Sequence, residues 1–165
     1  MNKRNQKSNK TDTSPLGNQK IATLFSGKDQ KWLRTELLSF HDSPHVATLM
    51  NWLDKLAKYM AEYITTHQLR NIFKKILDIE REIEQQGSNQ LRVKLQLLRP
   101  KLAYVAARQN TEEAGNLIQF FNEMLKELGS KDSDQLKRQF GSFKDVFEAV
   151  VAFHKYHSIP KAKSK

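Results

Sequence analysis

The sequence predicts an all-α protein, a compact five-helix bundle preceded by a disordered basic N-terminal arm. Three observations carry this expectation. From Ser43 onward, apolar residues recur at steps of three and four, the period that gathers one face of a helix. The periodic stretches are separated by capping residues and glycines rather than by hairpin turns. No stretch shows the alternation of a half-buried strand, and no glycine-rich phosphate loop or internal repeat occurs.

At 165 residues the chain is long enough for one domain with a modest core. The absence of cysteine excludes disulfides and thiolate metal sites. The opening MNKRNQKSNK has no apolar stretch, so no secretory signal is expected. The longest apolar run, Ala149 to Phe153, is too short to span a bilayer. A soluble, cytoplasmic protein with no membrane partner is the expectation.

The elements follow in order. Residues 1–19 are almost wholly polar and cannot offset the entropy of ordering, so they are expected to be disordered. Trp32, Leu33, Leu37 and Phe40 give residues 29–40 the pattern of a short accessory helix within a polar basic extension, 1–44. Ser43-Pro44 reads as a cap and first helical residue, and the bundle domain is assigned to 45–157. Its first helix carries Leu49, Trp52, Leu53, Leu56, Met60 and Tyr63. Thr65 and Gln68 have capping-box spacing, followed by Leu69, Ile72, Ile76, Ile79 and Ile83, with Gly87 as the stop. The third helix aligns Leu91, Leu95, Leu98, Leu102 and Val105, with Pro100 expected to kink or restart it. The fourth presents Leu117, Phe121, Met124 and Leu128 before Gly129. The fifth lines up Leu136, Phe140, Phe143, Phe147, Val150, Val151 and His154, and Gly141-Ser142 has the composition of a break in its first turns. Residues 158–165 form a basic tail.

The net charge of +10 is unevenly spread. Residues 1–44 hold eight basic and four acidic residues and 158–165 hold three lysines, so most of the excess lies outside the bundle. Within the bundle, one segment is locally uncompensated. From Asn89 to Thr111 the chain carries Arg92, Lys94, Arg99, Lys101 and Arg108 and no Asp or Glu, as a surface kept for a polyanion would. Lys94, Lys101 and Arg108 recur every seven residues, which sets them in one row spaced about 10 Å apart. Arg92 and Arg99 form a second, shorter row. Such rows suit a nucleic-acid backbone, and equally suit a solvated face that keeps the protein soluble.

Other residues have two readings as well. Arg70 sits in the first turn of the second helix, where the macrodipole disfavours a cation, yet an ordinary exposed Arg accounts for it. Tyr104 lies near the Lys101 and Arg108 side and could stack on a base, although a helical aromatic is usually packed. His154 continues an apolar stripe and reads as a half-buried core histidine rather than a ligand. His41-Asp42 has the makings of a hydrolase metal pair, but the further His and Asp residues that chemistry needs are missing at helical spacing. Asp78, Glu80, Glu82 and Glu84 read as a charged exterior. No nucleophile stands beside a base, so neither catalysis nor a cofactor is expected.

Two strings, LRPKLAYVAARQ (Leu98 to Gln109) and FEAVVAFHKYH (Phe147 to His157), with TTHQLR (Thr65 to Arg70) upstream, resemble the small helical subunit of the type III-A CRISPR effector, the Csm complex. The resemblance covers Val46 to His157. It implies a noncatalytic subunit that stacks in several copies along the effector, meets its other subunits, and helps define the channel for target RNA and the guide–target duplex. It also implies that Lys101, Tyr104, Arg108 and Lys155 belong to the characteristic surface; Lys94 is added by the heptad spacing. The chain departs from the family in its long polar extension before residue 45 and in Phe153, where tyrosine is expected. A helical adaptor binding only protein, its cations meeting an acidic partner, is the alternative.

Overall fold

The computed structural model describes residues 30–160. Six α-helices and one short 3-10 turn fill this span, with no strand among the described residues. They are α1 (Gln30–Leu38), the turn Phe40–Asp42, α2 (Val46–Met60), α3 (Thr66–Gln86), α4 (Leu91–Gln109), α5 (Glu112–Gly129) and α6 (Ser133–His157). The arm expected to be disordered, 1–19, lies outside the described residues, as does the tail from residue 161.

The all-α expectation holds, with six helices where five core helices were expected. The additional one is α1, and it belongs to the bundle. Leu33, Leu37 and Leu38 are buried in the same core as the later helices. Each buried leucine contributes about 2 kcal/mol over an exposed one, which a nine-residue helix needs because it is too short to be stable alone. Arg34 of α1 also donates to Glu127 of α5 at 2.7 Å.

The long helix α6 is the common partner, packing against α1, α2, α3 and α5, while α4 lies on α5 and along α3. The expected stripes supply the core: Leu49 to Met60 on α2, Leu69 to Ile79 on α3, Leu91 to Val105 on α4 and Leu136 to His154 on α6. The α5 core is broader than its stripe, since Ala114, Ile118, Phe120 and Leu125 are buried as well. Phe121 and Phe147 meet edge to face at 5.1 Å between centroids at the α5–α6 contact.

Local signals explain most boundaries. Thr65 Oγ1 accepts the Gln68 N–H and Gln68 Oε1 accepts the Thr65 N–H, which completes the capping box of α3. Gly87 ends α3 at φ +83°, a backbone that side chains rarely adopt. Asp132 Oδ1 caps α6 by accepting from the Asp134 and Gln135 N–H groups.

Three boundary expectations are corrected. The helix α2 begins at Val46, not at Pro44, because Ser43 is engaged elsewhere: its hydroxyl donates to Glu36 of α1 and accepts the His45 N–H. The helix α6 runs unbroken through Gly141-Ser142. Ser142 is buried, and its hydroxyl accepts the His41 N–H at 3.4 Å rather than capping a new start. The helix α4 passes Pro100 without restarting. An interior proline costs a helix about 3 kcal/mol. Leu95 and Leu98 before it, and Leu102 and Val105 after it, are all buried, and their packing offsets that cost.

Candidate nucleic-acid interface

The basic segment becomes α4, and its cations separate according to what lies beside them. Lys94 is paired with Glu82 of α3 and is largely covered. Arg99 turns toward α5, donating to Asn122 Oδ1 at 2.8 Å and to Gln96 Oε1 at 2.9 Å. Arg92 donates to the Lys131 carbonyl at 2.6 Å. These three hold the α3–α4–α5 layer together. The row of three read from the heptad spacing is therefore a row of two exposed cations, Lys101 and Arg108, with the first member neutralised by its neighbour helix.

Lys101 and Arg108 line a groove between α3 and α4 of about 590 Å³. Ile72 of α3 and Leu98 and Val105 of α4, all core residues, reach its floor. Leu97, Pro100 and Tyr104 rise along the α4 side; Gln68, Asn71 and Lys75 come from α3. No Asp or Glu lines the groove, whereas three cations do. Asp78 and Glu82 line a second, smaller depression, which shares Lys75, Leu97, Leu98 and Lys101 with the groove and adds Lys94.

Tyr104 is the principal correction at the site. Helical spacing favoured packing for it, yet it is 63 % exposed. The reason is that α4 has two apolar faces. Its inner face is the expected stripe, and Val93, Leu97 and Tyr104, with Pro100, form an outer stripe at helical spacing. Tyr104 stands three residues after Lys101 and four before Arg108, so all three share a face. The Arg108 guanidinium lies 5.9 Å from the Tyr104 ring centroid, within cation–π range.

The remaining candidates lie elsewhere. Arg70 is exposed on α3 but does not line the groove, and Lys155 is exposed near the end of α6. His154 is more buried than a half-covered histidine. Its Nε2–H donates to the Ile64 carbonyl at 2.7 Å, and Nδ1 lies 3.0 Å from the Thr66 hydroxyl. Burial pushes its imidazole pKa down. His41 Nε2 meets Asp145 at 2.7 Å. Among the described residues no group of three or more His, Cys, Asp or Glu side chains is placed to hold a metal ion. No described helix is long and apolar enough to cross a membrane.

Lys75, Leu97 and Val93 were missed by sequence reasoning. The two exposed apolar residues on α4 were legible as a second periodic stripe, while Lys75 gave no signal, since its place on the rim depends on how α3 meets α4.

The fold and the groove define a helical bundle with a cation-rimmed, acid-free surface cleft. Residues 43–159 match the family model described as Csm2 Type III-A, and the chain belongs to that family, the small subunit of the type III-A CRISPR Csm complex. No curated protein and no solved structure matches the chain.

Proposed function

We propose that this chain is a noncatalytic subunit of the Csm effector that stacks in several copies along the assembly and holds RNA by its sugar-phosphate backbone, without reading sequence. The observation that carries the proposal is the acid-free groove, where Lys75, Lys101 and Arg108 converge with no ion-pair partner among the described residues. Point charges at intervals suit phosphates, and contacts of that kind carry no base information. Specificity is then left to guide–target pairing, as in RNA-guided effectors generally. Family membership supports the assembly partners, the other Csm subunits.

The test is the affinity of the full chain, alone or in its complex, for single-stranded RNA at several salt concentrations. Replacing Lys75, Lys101 and Arg108 together by Ala should lower the log–log salt slope by about 2, from ~0.7 per phosphate contact. An unchanged slope with an intact fold would remove the RNA reading and leave a protein-only adaptor. Noncatalysis is tested separately: His41→Ala should leave the activity of the assembled complex unchanged, and stoichiometric zinc, manganese or nickel on this subunit, lost on that substitution, would overturn it.

A further inference from the structure

A groove that only met phosphates would need cations and no apolar surface. This one is apolar along its length. Leu97, Pro100 and Tyr104 present side chains to solvent beside a floor of Ile72, Leu98 and Val105. Leu97 is 58 % exposed, a large apolar side chain kept out of the core on a helix whose inner face is already complete. Exposed apolar surface of this kind, rimmed by polar residues, marks a binding site.

Three features narrow the occupant. The rim is cationic and lacks acid, so the occupant is anionic at its edges. The cleft has the volume of a small-molecule site, a range of ~300–1,000 Å³. The one aromatic in it, Tyr104, lies between two cations on the same helical face, at i−3 and i+4. An aromatic ring flanked by cations is the arrangement that single-stranded nucleic acid uses, with a base on the ring and its flanking phosphates on the charges. We infer that the groove between α3 and α4 seats one unstacked nucleobase of single-stranded RNA against Tyr104 and Leu97, with Lys101 and Arg108 on the phosphates to either side. The inference rests on the RNA-binding reading and adds to it a base-sized site, tolerant of base identity because every base has an apolar face.

The experiment compares two single-stranded RNAs of equal length, one intact and one with a single abasic position, binding to the full chain and to its Tyr104→Ala and Tyr104→Phe variants. Both strands carry the same phosphates, so they share a salt slope. The chain should prefer the intact strand about tenfold, from the ~1–3 kcal/mol that base–aromatic stacking supplies. Tyr104→Phe should keep that preference and Tyr104→Ala should abolish it, with the salt slope unchanged in both. Circular dichroism checks the fold, which an exposed side chain should not disturb. Equal binding of the two strands by the unsubstituted chain overturns the base site while leaving backbone binding intact. Failure to bind either strand overturns both readings. Unchanged RNA binding by Tyr104→Ala, together with loss of that variant from the assembled effector, overturns the base site and assigns the groove to a protein neighbour.

Discussion

Lys94 on α4 is paired with Glu82 on α3, and this pairing separates it from Lys101 and Arg108, with which it shares a heptad position. The pair ties the two walls together just beyond the groove, and its charge is cancelled there. Lys94→Ala should therefore leave the salt dependence of RNA binding unchanged. Lys101→Ala or Arg108→Ala should each reduce the slope by about 0.7. The Lys94 variant should lose no more than about 1 kcal/mol of stability, as is usual for pairs near the surface. Urea unfolding and RNA titration at several salt concentrations measure both effects.

The helix α1 lies outside the segment that matches the family model, 43–159, yet Leu33 and Leu37 are fully buried. Leu37→Ala should cost about 2–5 kcal/mol, the range for emptying a packed leucine site. A chain trimmed to 43–159 should show a clearly lower thermal midpoint than the full chain. Equal midpoints would mean that α1 is a passive cover.

The buried His154 makes stability depend on pH. Its Nε2–H is held by a carbonyl, so Nδ1 is the acceptor in the neutral ring, and burial disfavours the charged form. The folded pKa lies below the ordinary value of about 6.5, so the folded state binds this proton more weakly than the unfolded chain does. The contribution is fully present above the unfolded pKa and is lost as pH falls through the folded one. Thermal midpoints recorded between pH 8 and 5 should decline on the acid side, and His154→Gln should flatten that decline. A decline of the same size in the variant would assign it to other groups.

At the start of α3, Thr65→Ala removes half of a capping box and should cost about 1 kcal/mol, readable in urea. Thr65→Ser should keep most of it.

Much of this molecule was legible because its signals are local. The capping box needs only Thr65 and Gln68, and the stripes of α3 and α6 repeat within single helices. What was not legible depends on segments distant in the chain. Lys94 looked like the head of a cationic row until α3 brought Glu82 beside it, twelve positions away in sequence. Ser142 looked like a cap until His41 took its hydroxyl. Tyr104 was assigned to packing because helical aromatics usually are, and only the completed inner face of α4 shows that no core position was left for it. Composition singled out the segment as a candidate surface, but which of its cations face solvent is decided by tertiary contact.

The placement of α6 also bears on the order in which the molecule can assemble. It is the last of the described helices and the shared partner of α1, α2, α3 and α5. During synthesis, which proceeds from the N-terminus, the apolar faces of the earlier helices emerge without the surface that covers them. Before that, α4 can pair with its sequence neighbours α3 and α5, and α1 with α5, whereas α2 packs chiefly on α6. The faces of α1, α2 and α3 that pack on α6 stay uncovered until that helix has emerged, so a nascent chain stalled before Ser133 keeps apolar core surface exposed.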